Sequence, residues 1–217
     1  MQYLDEAVRF VPRTRRSGGR PLRVARTLLT CGVAVAVMND LEMPEEAGPA
    51  YRHVNVHNPR CPLSFDRERQ RWTCSPALEL YPVWALNWAA AQAISERLGG
   101  RLPWAAEWER FASNNDPARI YPWGDAAPNR SLANYDEHYG GPSAVGCFPP
   151  SETGLSDLAG NLGEWCLDRF GDANSLERVV KGGAWSKDAG HLRISKSRGK
   201  WARLGTTTIG LRPVWED

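Results

Sequence analysis

The pattern of apolar and polar positions predicts helices in only one part of the chain. Residues 88–98 (WAAAQAISERL) follow Asn87, a residue type that caps helix N-termini, and the alanine run favours a helix that ends at Gly99-Gly100. A second helix is predicted from 104 to 113. From Tyr121 onward, turn residues dominate. The sequence therefore predicts an α+β fold with two main helices and a loop-rich C-terminal half.

Other apolar stretches indicate strands. Residues 28–38 form the most apolar run, which is too short to span a bilayer and predicts a buried strand. Residues 52–57 (RHVNVH) alternate and predict a short strand. Residues 62–65 and 70–73 predict a hairpin.

Composition and charge describe an ordinary globular protein. With 42% hydrophobic residues and a net charge of +2, the chain has no global preference for an acidic or a basic partner. Residues 1–20 are arginine-rich and are expected to form a flexible basic leader, followed by a single domain over 21–217. The five cysteines form no CxxC pair, although Cys61 and Cys74 flank the predicted hairpin and could pair under oxidising conditions. Without an export signal, this cysteine usage predicts a cytoplasmic protein that has no contact with a membrane.

The stretch 154–165 (GLSDLAGNLGEW) combines glycines with two acids, Asp157 and Glu164. A loop that bends at glycines supplies both carboxylates and backbone carbonyls, which are the ligands of hard cations such as Ca²⁺. The same pattern also suits a packed turn whose acids accept hydrogen bonds from backbone N–H groups. Spacing alone leaves both interpretations open.

Several motifs together resemble a known family. RLPWAAEWER (101–110), YPWGD (121–125), VGCFPP (145–150), the 154–165 stretch, KGGAW (181–185) and IGLR (209–212) resemble, in the same order, motifs of the formylglycine-generating enzyme (sulfatase-modifying factor) family. The resemblance covers about residues 80–214, and residues 21–79 resemble a shortened form of the N-terminal strands. It implies a loop-rich, modified C-type-lectin-like α+β fold.

The resemblance also implies metal ligands. One Ca²⁺ would be held by the side chains of Asp157 and Glu164 and by the carbonyls of Gly160 and Leu162. A second Ca²⁺ site would use Asn134 and the Tyr135 carbonyl, although the following loop is shorter here than in the family. We therefore expect Ca²⁺ as a cofactor.

The catalytic cysteines of the family have no counterpart in this alignment of motifs. The enzyme oxidises a substrate cysteine with two copper-binding cysteines, and the matching positions hold Lys187 and Leu192, with no cysteine after Cys166. Copper(I) requires soft thiolate ligands, so copper is not expected and formylglycine formation by the family's route is not expected either. Trp104 stands where the family has a capping threonine, which predicts a remodelled helix start.

Function is therefore expected to be recognition rather than catalysis. The segment 186–208 lies between two family motifs and is rich in basic residues, which suits an acidic protein partner. We predict that one exposed partner-binding surface is formed by Trp185, Lys187, His191, Arg193, Arg198, Lys200, Trp201 and Arg203.

Three alternatives remain. The same arginines could pair internally with Glu107, Glu109 or Asp125 and have a purely structural role. An enzyme could use other groups, such as His191 with Asp188 or a metal on His53 and His57. Finally, the leader and the basic segment could bind nucleic acid within a larger assembly.

Overall fold

The computed structural model describes residues 7–10, 21–45 and 53–216. The strands are β1 (Ala7–Phe10), β2 (Leu22–Ala25), β3 (Leu63–Asp66), β4 (Arg71–Cys74), β5 (Gly163–Arg169), β6 (Glu177–Lys181), β7 (Arg198–Trp201), β8 (Ile209–Gly210) and β9 (Val214–Glu216). The α-helices are α1 (Cys31–Asp40), α2 (Trp88–Arg97) and α3 (Ala105–Ala112). Short 3₁₀ helices cover Pro76–Leu78 and Ala189–Leu192.

These strands form three small sheets. β1, β2 and β9 make an antiparallel sheet that joins the two ends of the described chain. β3 and β4 form the predicted hairpin. The third sheet has the order β7-β6-β5-β8, in which only β5 and β8 run parallel. Residues 113–162, all of them described, contain neither a helix nor a strand, which confirms the predicted loop-rich region.

Both predicted helices are present, and their caps explain where they begin. The Asn87 side chain accepts a hydrogen bond from Ala90 N at the start of α2. At the start of α3, Glu107 accepts from the backbone N–H of Trp104, and Asp168 of β5 accepts from Ala105 N. Asp168, which lies outside the helix on β5, thus accepts a hydrogen bond from one of the first N–H groups of α3. The Trp104 side chain cannot do so, because an indole has no hydrogen-bond acceptor.

The strand prediction for residues 28–38 was wrong, because Cys31–Asp40 is a third helix. Thr30 caps it, and its buried residues Cys31, Ala34, Val37 and Met38 recur at helical spacing. The Asn39 side chain donates to Trp72 O and accepts from Trp72 N, which anchors the helix to β4. Leu22–Ala25, just before this run, is the strand β2.

Two further expectations need correction. Residues 53–57 form only one isolated bridge, Val54 to Leu86, followed by a turn, so the alternation there does not produce a strand. Residues 7–10, within the expected leader, pair with β2 as an edge strand. The rest of the leader lies outside the described residues.

The core lies in several contiguous clusters. The largest joins α1, α2 and the hairpin to the inner faces of β5, β6 and β8. A second cluster contains Trp108 and Phe111 of α3 with Val214 of β9. A smaller one holds Tyr121, Ala133, Ala159 and Leu192. Because these clusters surround the 154–165 stretch, the core fixes the geometry of the candidate site.

Candidate functional site

Glu164 lies at the start of β5 and is fully buried against an equally buried arginine, Arg212. Arg212 Nε contacts both carboxylate oxygens at 3.0 and 3.1 Å, and Arg212 Nη2 donates to Glu164 Oε1 at 2.9 Å. The indole N–H of Trp108 donates to Oε2 at 2.7 Å. Each Glu164 oxygen therefore accepts two hydrogen bonds, and the carboxylate serves as the counter-ion of Arg212.

The other donors of Arg212 are also satisfied. Its Nη1 donates to the carbonyls of Ala25 and Arg26 at 2.8 and 2.9 Å, and its Nη2 donates to Ser156 O at 2.7 Å. The guanidinium thus joins the β2 end, the 154–165 stretch and β5. All five of its N–H groups are used, which is what a fully buried arginine requires.

Asp157 has a different environment. Its Oδ2 accepts from Gly146 N at 2.7 Å, whereas its Oδ1 is buried and has no hydrogen-bond partner. Burial raises the pKa of this carboxyl, and the hydrogen bond from Gly146 N, the nearby Arg212 and the neighbouring Asn161 only partly oppose the effect. The backbone of Asp157 is left-handed, with φ 58°, which is uncommon outside glycine and aims the side chain into the turn. A buried, unpartnered carboxylate oxygen is a position where a cation would relieve an electrostatic cost.

Asn134 borders the same turn. Its Oδ1 is buried without a partner, while its Nδ2 donates to Gly141 O and Ser143 Oγ. Gly160, with φ +81°, lies so close that an added Cβ would come within 2.3 Å of Asn134 O. The two predicted metal positions are therefore adjacent. Tyr135 is half-buried and donates its hydroxyl hydrogen to Pro128 O.

The implied calcium ligands fit this geometry in part. Asp157 and Asn134 each keep an oxygen available, but Glu164 has none left. Within the described part of the chain, no three His, Cys, Asp or Glu side chains converge in a metal-type cluster. A cation here would therefore depend on Asp157 and carbonyl groups, with Glu164 bound to Arg212 instead.

The positions matched to the copper cysteines lie in different environments. Leu192 is fully buried in the cluster with Tyr121, Ala133 and Ala159. Lys187 is partly exposed, and its backbone carbonyl accepts from Asp136 N at 2.9 Å. Leu192 therefore presents hydrocarbon to its surroundings, and Lys187 presents an amine.

Asp188 and His191 do form a pair, at 3.0 Å between Oδ1 and Nδ1. Asp188 is the N-cap of the short 3₁₀ helix and also accepts from Gly190 N. The hydrogen bond from His191 lowers the pKa of Asp188, whose side chain is largely exposed. The pair is thus a local cap of the 3₁₀ helix.

The predicted partner-binding residues do not form one exposed surface. Trp185 is buried and donates from its indole to Thr207 O at 2.9 Å. Arg198 is mostly buried, donates to Gly183 O at 3.1 Å, and has its pKa lowered to about 10 by desolvation. Both residues face inward because the segment packs across β5 and β6, so their predicted exposure was wrong.

The remaining six residues separate into two groups. Lys187, His191 and Arg193 lie around the 3₁₀ helix, where Arg193 stacks over the Tyr121 ring at 5.8 Å. Lys200, Trp201 and Arg203 lie at the end of β7, where Trp201 is 55% exposed. Sequence order could not show this division, because it arises from the turn that places β7 at the sheet edge.

Sequence comparison then decides the family. The model for the "Sulfatase-modifying factor enzyme 1-like domain" matches residues 51–217. The chain belongs to this family. Its relatives include a bovine protein named "Inactive C-alpha-formylglycine-generating enzyme 2", 34% identical over 58% of this chain and 46% of that protein. They also include the "Hercynine oxygenase" of Mycolicibacterium thermoresistibile, 34% identical over 62% of this chain and 36% of that protein.

The "Serine/threonine-protein kinase pkn1" of Chlamydia pneumoniae is 31% identical over 68% of this chain but only 26% of its own length. This member of the sulfatase-modifying factor family therefore spans less than half the length of the curated relatives it matches. Two solved structures share the fold. PvdO from Pseudomonas aeruginosa has a TM-score of 0.68, with 17% identity and coverage of 97% and 90%. Treponema denticola variable protein 1 has a TM-score of 0.66, with 18% identity and coverage of 91% and 85%.

Some important residues were not identified from the sequence. Arg212 was treated only as part of a motif, although it balances Glu164, 48 residues away. Lys181, also fully buried, donates to Glu109, Ile194 O and Ser197 Oγ. A charged residue within an apolar strand motif was the available signal, because such a residue needs a buried partner.

Proposed function

We propose that this chain is a catalytically silent member of the sulfatase-modifying factor family that recognises an acidic protein partner through residues 186–208. The observation that carries the proposal is the complete burial of Leu192 in a hydrocarbon cluster at the position matched to a copper cysteine. A pair of thiolates is needed to hold copper(I), and neither a leucine nor the amine of Lys187 supplies one. The relative that is named inactive shows that the family includes members without the enzyme's activity.

The exposed members of the segment support recognition. Arg193, Trp201 and Arg203 are all exposed, and the segment carries a single acid, Asp188. Arginine and tryptophan are enriched at interface hot spots, and arginine binds carboxylates in a bidentate manner. The segment ends at Trp185 and Ile209, both buried, so a rigid scaffold holds these loops.

We propose Ca²⁺ as a structural ligand of the same scaffold. The buried Oδ1 of Asp157 would bind it, with the carbonyls of Gly160 and Leu162, while Glu164 stays with Arg212. Asn134 and the Tyr135 carbonyl are the candidates for a neighbouring position. When bound, the cation would neutralise the buried carboxylate and tighten the turn.

We also propose that the protein is cytoplasmic. All five cysteines are unpaired thiols, which supports a reducing, cytoplasmic environment. No helix among the described residues is long and apolar enough to cross a bilayer.

Two measurements test the proposed function. The purified chain, supplied with copper(I) and oxygen, is incubated with a sulfatase-type cysteine peptide, and the peptide mass is followed beside an active family member. We expect no conversion, and formation of formylglycine would overturn the catalytic part of the proposal.

Recognition is tested by affinity capture from a lysate of the source cells. Two charge-reversed double variants, Lys187→Glu/Arg193→Glu and Lys200→Glu/Arg203→Glu, are compared with a control pair on other surfaces, Arg71→Glu/Arg130→Glu, which changes the net charge equally. A protein retained by the native chain and the control, but lost by at least one recognition variant, supports the proposal. If every protein is retained or lost by all three variants alike, residues 186–208 are not a recognition surface.

A further inference from the structure

A groove at the edge of the third sheet combines aromatic and basic side chains. This basic-aromatic groove has a volume of about 290 Å³ and is lined by Trp88, Ala89, Arg169, Leu176, Arg178, Trp201, Ala202 and Arg203. Backbone hydrogen bonds from Trp88 N to Ala202 O and from Ala202 N to Leu176 O, at 2.9 and 3.0 Å, fix its walls. It therefore joins the start of α2 to the start of β6 and the end of β7.

The groove is positively charged. Among the described residues that line it, three are arginines and none is acidic. Arg178 stacks over the Trp88 ring at 3.9 Å and donates to Leu167 O at 2.6 Å, and Lys200 lies opposite Arg178 on β7. Desolvation lowers the pKa of Arg178, and the nearby Arg169 adds to the effect. An anion in the groove would offset both the desolvation of the Arg178 charge and its repulsion by Arg169.

The nearest acids have other positions. Asp168 accepts a hydrogen bond from Ala105 N at the start of α3. Glu177 lies opposite Trp201 in the β6–β7 ladder and approaches Gly199 with one carboxylate oxygen. Neither lines the groove, and Asp168 offsets only part of the lowering of the Arg178 pKa, so the lining itself keeps a net positive charge.

Exposed apolar side chains surround the same groove. Leu176 is 66% exposed, Trp201 55%, Leu204 47% and Phe170 37%. They are neighbours in the structure, because Phe170 N donates to Glu177 O, Leu204 N donates to Trp201 O, and the Phe170 ring lies beside Gly199 of β7. Four of the seven large apolar side chains exposed in the described residues are thus gathered here. Such clustering marks an interaction site.

We propose that the basic-aromatic groove is a docking site for an extended acidic segment of a partner protein that carries an aromatic or leucine side chain between its carboxylates. The carboxylates would pair with Arg169, Arg178 and Arg203, and the apolar side chain would pack on Trp201 and Leu176. This inference rests on the proposed function, because it assigns the partner class and adds Trp88, Arg169, Leu176 and Arg178 to the recognition surface.

The apolar rim favours a peptide over other anions. Nucleic acid would use the arginines and stack on Trp201, but it would leave Leu176 and Leu204 without matching hydrocarbon. The groove volume lies just below the range of about 300–1,000 Å³ that is typical of small-molecule sites, and it suits one or two side chains of a peptide. Because β7 is the edge strand of its sheet, an extended segment would also lie alongside a strand edge.

The test measures binding of the full chain to a fluorescein-labelled peptide of alternating Glu and Phe by fluorescence anisotropy. A Glu–Ser peptide and a labelled single-stranded oligo-dT serve as comparison probes. We expect the Kd of the Glu–Phe peptide to be at least about tenfold lower than that of either comparison probe. A tenfold difference in Kd is about the contribution of one large apolar contact or one ion pair.

Matched variants locate the site. We expect Trp201→Ala and Arg203→Glu each to weaken binding of the Glu–Phe peptide about tenfold. The controls Trp104→Ala, where the tryptophan is 48% exposed, and Arg71→Glu, on β4, should leave it unchanged. Arg193→Glu is measured in parallel to test the surface around the 3₁₀ helix. Trp201→Phe should retain most of the affinity, and melting curves would show that all variants fold alike.

Three results would overturn the groove assignment. The first is no binding of the Glu–Phe peptide to the native chain, and the second is tighter binding of oligo-dT. The third is loss of binding in Arg193→Glu but not in Trp201→Ala, in which case the proposed function survives with its surface around the 3₁₀ helix. The recognition part of the proposed function fails only when the capture experiment also shows no dependence on residues 186–208.

Discussion

Replacing Arg212 with methionine is predicted to be among the most destabilising single changes in this chain. Methionine retains the hydrocarbon part of the side chain, so the substitution removes mainly the guanidinium. That group has no solvent exposure, and neither does its partner Glu164. The change leaves a buried carboxylate whose remaining hydrogen-bond donor is the Trp108 indole.

The magnitude follows from the contacts that are lost. Removing one partner of a buried ion pair costs about 3–5 kcal/mol, because the other charge stays buried and uncompensated. The carbonyls of Ala25, Arg26 and Ser156 also lose a donor, so the upper part of that range is expected. For a domain of this size, about 1 kcal/mol lowers Tm by about 2–4 °C, which gives a decrease of about 8–20 °C.

Urea unfolding and thermal melting of Arg212→Met would measure this effect beside Arg101→Met. Arg101 is a suitable control, because it also forms carboxylate ion pairs, in its case with Glu107 and Glu216, but its side chain is 21% exposed. The control should lose only about 1–2 kcal/mol, since solvent can rehydrate its partners. If the two variants lose equal stability, or if Arg212→Met loses less than about 2 kcal/mol, the assignment of Glu164 as the counter-ion of Arg212 is wrong.

Three further predictions concern Asp157 and the hydrogen bond from Trp108 to Glu164. Saturating Ca²⁺ should raise the free energy of unfolding by about 2.7 kcal/mol at a hundredfold excess over Kd, and Asp157→Asn should abolish that increase; a melting curve unaffected by Ca²⁺ and by chelation would refute the calcium proposal. In the absence of Ca²⁺, Asp157 has a folded-state pKa above its ordinary value, so the native state binds the proton more tightly. Stability should therefore fall as the pH rises from the ordinary carboxyl pKa through the raised one, and Asp157→Asn should remove this slope in urea titrations. Trp108→Phe should cost about 1–3 kcal/mol in denaturant unfolding, because Glu164 loses a hydrogen bond while the ring packing is largely kept; an unchanged midpoint would show that the indole N–H contributes nothing.

Local signals explain which elements were predictable. The alanine run, the Asn87 cap and Gly99 act within a few residues, so α2 could be placed from the sequence. The run 28–38 was ambiguous because a short buried apolar stretch satisfies both a strand and a helix. The helix is also anchored by Asn39 to Trp72, a contact across 33 residues that no local pattern encodes.

The candidate site was predictable to a smaller extent for the same reason. The motifs located Asp157 and Glu164, but the partner of Glu164 comes from the far end of the chain. A list of basic residues also could not separate Arg198, which turns inward to Gly183 O, from Arg203, which stays exposed. Arg169 and Arg178 lie outside the 186–208 segment and join the groove only through the pairing of β5, β6 and β7.

Hydrogen–deuterium exchange of the full chain with and without the Glu–Phe peptide tests the recognition account most directly, because it reports where the partner chemistry is bound without any substitution. The account predicts slower exchange in residues 169–178 and 198–204, with residues 113–134 unchanged. Protection confined to residues 185–193 would contradict the assignment of the groove, and no protection anywhere at saturating peptide would contradict binding of an acidic partner.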